Sequence, residues 1–270
     1  MFSAVAFATE QEVAKDQVSS ALVSSCISEF QALKNGDLKP LCAKMLKLSS
    51  CNSVQKREIV HFDKQGIGQN PRRILVFGQI HGDEPDAGLL AFRWVQRLDR
   101  LSPQNTWRIV PRVNPDGAKA EQKTRINANG TDINRNFPTK DWNDLALQQW
   151  EKLMKKNPRR YPGKSPASEP ETQCAVQHIE DFKPEIVVSI HTPYGLLDFD
   201  GPKIKFPPFK PLPWIMLGNF PGSLGRYMWV ERQVPVLTIE LSPTSLHKNS
   251  NEFDRFQDLV SLLLDRTSSP

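Results

Sequence analysis

Four residues of this chain have the types and surroundings needed to hold a metal ion and move a proton. His81 and Glu84 stand three apart in Ile80-His81-Gly82-Asp83-Glu84, where an apolar run passes into a helical pattern. Imidazole and carboxylate can converge there on one ion. Taken alone, such a pair is more often a helix start whose acidic residues sit near the dipole. A third ligand has to come from elsewhere, and Val187-Val188-Ser189-Ile190-His191 closes a buried-strand pattern on a histidine. Two histidines and a glutamate leave a fourth position for water, the arrangement of catalytic zinc, which lowers the pKa of that water to about 7. The remaining histidines, His61, His178 and His247, have no comparable context. Thr238-Ile239-Glu240-Leu241 ends another apolar run on a carboxylate. That is an expensive place for charge unless it faces a cleft, a metal or a cation. Glu240 is therefore the candidate general base, taking a proton from water and returning it to the leaving amine; a salt-bridged structural glutamate is the alternative.

The polar string from Lys123 to Pro138 holds Arg125, Asp132, Asn134 and Arg135 among four asparagines. It reads as built to hold an anion. Arg135 can grip a carboxylate bidentately with Asn134 beside it, and Arg125 can stabilise an oxyanion developing on an attacked carbonyl. The competing reading is an Asn-Gly loop with solvated arginines.

The elements that must position these groups follow from periodicity. Glu58 to Phe62, Arg73 to Ile80, Thr106 to Val113, Glu185 to Ile190 and Val236 to Leu241 read as strands. Helical patterns cover Glu84 to Leu98, Asp144 to Lys156 and Glu169 to Asp181. This alternation predicts an α/β fold, and ligands in such sheets sit at strand ends. The Pro- and Gly-rich stretch from Asp198 to Gly222 is expected to be a loop system walling the cleft. Short amphipathic helices are expected between Gln11 and Leu48, broken around Asn35-Gly36 and Lys39-Pro40. The division expected is a residual signal peptide over 1–8, a helical appendage over 9–55 and a catalytic domain over 56–270.

At 270 residues with 39% hydrophobic content, the chain suits one large soluble domain. No apolar run approaches the ~20 residues of a membrane span. The net charge of +5 is scattered, with one concentration from Met154 to Lys164; this lacks the footprint of a nucleic-acid groove but suits a carboxylate-bearing substrate. Ala6-Phe7-Ala8 matches a signal-cleavage pattern, so a periplasmic or exported location is expected, with the cytoplasm as alternative. Cys26, Cys42 and Cys51 cluster, while Cys174 lies far away. One disulfide within the N-terminal segment is expected, with four reduced thiols as the alternative.

Taken in order, His81-Gly-Asp-Glu84, Asn114-Pro-Asp-Gly117, the Arg125 to Pro138 string, Ser189-Ile-His-Thr-Pro193 and Thr238-Ile-Glu-Leu241 resemble the zinc carboxypeptidase (funnelin) family over roughly Ile59 to Leu263. The resemblance implies a mixed central sheet flanked by helices on both faces, and one Zn2+ held by His81, Glu84 and His191, with Asp132 orienting the His81 ring. It implies Arg125 as the oxyanion group, Asn134 and Arg135 as a clamp on the terminal carboxylate, and Glu240 as base. The Gly82-Asp83 variant of the zinc motif and Ser223-Leu-Gly-Arg226 resemble the cell-wall branch of that family, which splits the γ-D-glutamyl–diaminopimelate bond of murein peptides. Arg226 would then read a substrate carboxylate. One departure stands out: digestive members carry a mobile tyrosine ahead of the catalytic glutamate, and 203–226 contains none, leaving Tyr194, Tyr227 or no substitute.

The partner implied is a muropeptide or another peptide with a free carboxylate. An N-acyl amino acid deacylase of the succinylglutamate desuccinylase or aspartoacylase kind is the second enzyme reading. A non-catalytic peptidoglycan-binding protein is the reading from another class, and it would call for a damaged ligand or base.

Overall fold

The structure is a computed structural model that describes residues 20–31, 37–242 and 252–268. The signal-cleavage pattern at 6–8, the first apolar positions of the N-terminal pattern, the Asn35-Gly36 break and His247 lie outside the described residues.

Six strands form one mixed sheet: β1 (Phe62–Lys64), β2 (Arg73–Gly78), β3 (Thr106–Val110), β4 (Ile186–His191), β5 (Leu196–Asp200) and β6 (Val236–Glu240), in the order β1-β3-β2-β4-β6-β5. The four central strands run parallel and the two edge strands antiparallel. Parallel strands are covered on both faces and so read as continuous apolar runs, as β2 and β4 do. Side chains alternate across the sheet. Ile74 and Val76 therefore enter one apolar cluster with Trp94, Trp107 and Phe92, while Leu75 and Phe77 enter a second with Val187, Cys174 and Ile179.

Helix α3 (Pro85–Asp99) starts directly after Glu84, with proline in its first turn, a position where the missing N–H costs nothing. With α1 (Ser20–Phe30), the short α2 (Lys39–Cys42) and the C-terminal α7 (Glu252–Ser268), it fills the first cluster. Phe30 of α1 stacks on Phe92 at 4.1 Å, so the N-terminal helices share the main core. The short α4 (Pro115–Lys119) follows β3 and α5 (Leu147–Lys152) follows a π-helical turn at Trp142–Ala146; α6 (Pro170–Phe182) covers the second face.

Four expectations change. The strand expected over Glu58 to Phe62 is reduced to Phe62–Lys64 preceded by isolated bridges, Leu46 with His61 and Asn52 with Glu58. The helix expected over Asp144 to Lys156 ends at Lys152, because Lys155 and Lys156 take positive φ. The stretch from Asp198 is not all loop: Asp198, Phe199 and Asp200 belong to β5, and irregular chain begins at Gly201. Two disulfides form where one was expected: Cys26–Cys42 within the N-terminal segment, and Cys51–Cys174, which ties residue 51 to α6.

Candidate functional site

Strand pairing places the site. His191 and Glu240 end neighbouring parallel strands and are register partners. Beyond Gly78 at the end of β2, the chain carries His81 and Glu84 into the start of α3. Gly82 is fixed by a backbone approach: a Cβ there would lie 2.2 Å from the carbonyl carbon of Gly117. The Asn114–Gly117 motif is thus a scaffold. Asn114 caps α4 by accepting from the Gly117 N–H at 2.9 Å, and buried Asp116 accepts from Ser53, the Gln55 N–H and Arg57.

Three side chains converge. His81 Nδ1 lies 2.8 Å from Glu84 Oε1, His191 Nδ1 lies 2.9 Å from Glu84 Oε2, and the two Nδ1 atoms are 3.1 Å apart. Ligands bonded at ~2.0–2.1 Å in tetrahedral geometry stand about 3.3 Å apart, so this cluster fits a small cation with little adjustment. The chemistry fits as well: two neutral imidazoles and one carboxylate form a set with an open position. Burial works to raise the Glu84 pKa, but the His81 and His191 rings outweigh it and hold the carboxyl well below the usual range. A second trio, Cys51, Cys174 and His178, has ligand-like spacing, but its two sulfurs are bonded to each other.

The far ring nitrogens are also placed. His81 Nε2 is buried 3.4 Å from Asp132 Oδ1, and His191 Nε2 lies 2.9 Å from the Ser189 hydroxyl. Asp132 is fully buried; Arg125 Nε donates to its Oδ2 at 2.8 Å, and Arg125 with His81 overcomes desolvation to keep it ionised. Arg125 Nη1 reaches within 3.2 Å of His81 Nδ1, so the guanidinium borders the His81, Glu84 and His191 cluster.

The asparagine-rich string is held by its own amides. Asn127 donates to Glu169 and Glu171 at 2.7 and 2.9 Å, and Asn136 donates to the Pro162 and Ser165 carbonyls. Asn127 and Asn136 are thus fasteners, and they aim Asn134 and Arg135 into the cleft. Arg135 is buried against the Phe220 ring, 4.5 Å from its centroid, and burial lowers its pKa to about 10, still charged at neutral pH.

These groups line one cavity of about 590 Å³ with His81, Glu84, Arg125, Asn134, Arg135, His191 and Glu240 in its wall. One sheet face forms its floor: Ser189 and His191 of β4, Val236, Thr238 and Glu240 of β6, and Asp198 and Asp200 of β5. Burial and Glu84 push the Glu240 carboxyl upward, with His191 opposing. Asp132 stands behind the cavity, reaching it through His81 and Arg125.

Arg226 is the exception. It is not among the residues lining the cavity; its guanidinium donates to Asp141 and to Asn219 Oδ1. Arg226 thus stands beside the cavity wall formed by Ser223, Leu224 and Gly225 rather than in it. Tyr194 lines the cavity and is 62% exposed, whereas Tyr227 is buried against Phe137 and accepts from Arg232. Of the two, only Tyr194 is placed to cover a ligand. Sequence reasoning missed Asp198, Asp200, Arg159 and Arg160 as cavity residues. The two arginines belong to the noted basic stretch; the two aspartates had only their i, i+2 spacing as a signal.

A mixed sheet whose parallel strand ends carry two histidines and a glutamate, with a third-strand carboxylate facing them, defines a metallohydrolase. The chain belongs to the zinc carboxypeptidase family, which it matches over residues 38–197. It is 34% identical to murein peptide amidase A of Escherichia coli strain K12 over 187 residues, covering 66% of this chain and 75% of that protein. The corresponding protein of Vibrio campbellii is 29% identical over 206 residues, covering 72% and 78%. The crystal structure of murein-tripeptide amidase MpaA from Escherichia coli O157 superposes with a TM-score of 0.53 at 25% identity, covering 82% of this chain and 91% of that one. Thrombin-activatable fibrinolysis inhibitor shares the fold alone, with a TM-score of 0.62 at 16% identity over 94% of this chain and 76% of that one.

Proposed function

We propose that this hydrolase is a zinc amidase that cuts the γ-D-glutamyl–diaminopimelate bond of murein peptides, releasing a residue with a free carboxylate. The observation that carries the reading is the convergence of His81, Glu84, His191, Glu240, Asn134 and Arg135 on one cavity, in a chain similar to murein peptide amidases over two thirds of its length.

His81 Nδ1, one Glu84 oxygen and His191 Nδ1 would hold one zinc. When bound, the ion supplies a Lewis acid for the scissile carbonyl and makes water nucleophilic at neutral pH. Asp132 on the far nitrogen of His81 fixes the ring tautomer and strengthens it as a ligand, and Ser189 does the corresponding work on His191. Glu240 takes the proton of the attacking water and delivers it to the leaving amine. Arg125, already anchored by Asp132, points its second nitrogen at the place where oxyanion charge develops. Asn134 and Arg135 bind the terminal carboxylate, with Arg135 stiffened by Phe220. Tyr194 covers the bound ligand from the rim.

The two disulfides support a place in an oxidising compartment, the periplasm or outside the cell.

The test is mass-spectrometric product analysis after incubating zinc-loaded protein with L-Ala-γ-D-Glu-diaminopimelate, beside a chelated control and a succinylglutamate reaction. Free diaminopimelate released only by the metal-loaded sample supports the proposal. Succinylglutamate hydrolysis with an untouched tripeptide would turn the reading to a deacylase.

A further inference from the structure

Between the candidate ligands His81 and Glu84, the backbone is held by one amide side chain. Gln79 is fully buried and takes a φ of +46°, a left-handed conformation that residues other than glycine and asparagine seldom adopt. Such backbone persists only where its surroundings over-determine it, and it clusters at functional sites. Here the surroundings are specific. Gln79 Nε2 donates to the Gly82 carbonyl at 2.9 Å, and Gln79 Oε1 accepts from Arg112 Nε at 2.8 Å. The backbone carbonyl of Gln79 accepts from the Asn114 N–H at 3.1 Å. Helix α3 makes room for the amide with Gly88, where a Cβ would stand 2.5 Å from Gln79 Oε1. Glycine is unfavourable inside a helix, so the amide is accommodated at a cost in helix propensity.

Arg112 is buried in turn, and what it meets belongs to the N-terminal segment. Its Nη1 lies 3.4 Å from Glu29 Oε2, its Nη2 donates to the Glu29 carbonyl at 3.4 Å, and its guanidinium covers the Phe30 ring at 5.0 Å. Burial raises the Glu29 pKa and lowers that of Arg112, each charge opposing the shift of the other. A buried ion pair is a weak source of stability, because desolvation offsets the attraction; its best-attested use is to fix one arrangement. The pair stands at the end of α1, and the Cys26–Cys42 bond secures that helix to α2. A continuous polar path thus runs from α1 through Glu29, Arg112 and Gln79 to the peptide between the candidate ligands. We infer that Glu29, Arg112 and Gln79 are positioning residues, through which the N-terminal helix fixes the loop that presents His81 and Glu84 to the metal. This rests on the reading of His81, Glu84 and His191 as a zinc site. None of the three lines the cavity. Their effect falls on the spacing of the two ligands, and so it is read in zinc affinity.

The experiment uses the full chain. Zinc affinity is measured by competition with a chromophoric chelator, and hydrogen exchange at the Gly82 and Glu84 amides is followed by NMR in the metal-free protein. Glu29→Gln keeps the size of the side chain and removes its charge. Gln79→Asn suits the left-handed backbone but is a methylene too short to span Arg112 and Gly82. Each should lower zinc affinity by about tenfold, as loss of support behind a ligand does, and should speed exchange at the two amides. The double variant should be no weaker than Gln79→Asn alone, because Glu29 acts only through that amide. Leu22→Ala, on the same helix and buried in the core, is the control. It should lower the melting temperature at least as much as Glu29→Gln while leaving zinc affinity at the wild-type level. Wild-type affinity in Glu29→Gln and Gln79→Asn overturns the inference. So do losses that add in the double variant, or that Leu22→Ala reproduces, since these mark general destabilisation. Zinc affinity does not depend on which bond is cut, so an uncut muropeptide rejects the murein reading and leaves this result standing. If the wild type bound no zinc, the zinc reading would fall and the exchange rates would decide: faster exchange in Glu29→Gln but not in Leu22→Ala supports the path, and equal rates overturn it.

Discussion

Each side chain at the centre has a proposed task, and the proposed tasks separate by experiment. Glu240→Gln keeps the shape of the group but removes the base; its hydrolysis rate should fall by about 10²–10⁴-fold, while zinc content by atomic absorption stays at the wild-type level. Wild-type turnover in that variant would assign the proton transfer elsewhere. Asp132→Asn acts on the ligand rather than on the proton: with the carboxylate gone from behind His81, zinc affinity measured by competition with a chromophoric chelator should drop by roughly 10–100-fold. The candidate ligands His81, Glu84 and His191, and Glu240 beside them, were legible as a group in the sequence because short strings carry them, at the ends of apolar runs that read as strands. Asp198 and Asp200 were not, since their meaning depends on β5 pairing antiparallel with β6, which brings both onto the cavity face. The placement of Arg226 was not legible for the complementary reason: its motif says nothing of Asp141 and Asn219, which take up its guanidinium.

Elements set how firmly this constellation is held. The Cys51–Cys174 bond links residues 123 apart and fastens the N-terminal segment to α6. Replacing both cysteines with serine should lower unfolding stability by ~2–5 kcal/mol in urea titration; an unchanged midpoint would show that packing alone secures the contact. Near that bond, His61 and His178 meet edge to face inside the protein, 4.8 Å between ring centroids. Desolvation lowers the His61 pKa to about 4 and puts His178 well below its ordinary value. Unfolded histidine titrates near 6.5. The unfolded chain therefore binds more protons than the folded one between those values, and stability should fall as pH drops from about 6.5 toward 4. Urea midpoints at pH 7 and pH 4.5 read this directly, and His61→Phe should flatten the difference; a pH-independent midpoint would contradict the buried neutral pair. Among elements, the central strands were legible because their runs are apolar on both faces. Strand β5 was hidden by its aspartates, which look like loop residues until the cavity gives them a place. Helix α7 had a usable signal in Phe253, Phe256, Val260 and Leu263, spaced for one helical face and all buried against the core.

At the scale of the whole molecule, an α/β sheet was expected from the alternation of patterns and its mixed form, with helices on both faces, from the family resemblance; that is what the chain forms. Its net charge of +5 takes on meaning only in the fold, where Arg125, Arg135, Arg159 and Arg160 gather around one cavity with acidic groups on its sheet floor. The central claim is that this cavity is a catalytic zinc site rather than a cleft that happens to hold histidines. Anomalous X-ray diffraction at the zinc edge, from crystals of zinc-loaded protein, tests it most directly. The account predicts one peak, bonded at about 2.0–2.2 Å to His81 Nδ1, Glu84 and His191 Nδ1, with a position open toward Glu240. A peak closed by a fourth protein ligand, or none between these three side chains at saturating zinc, would contradict it.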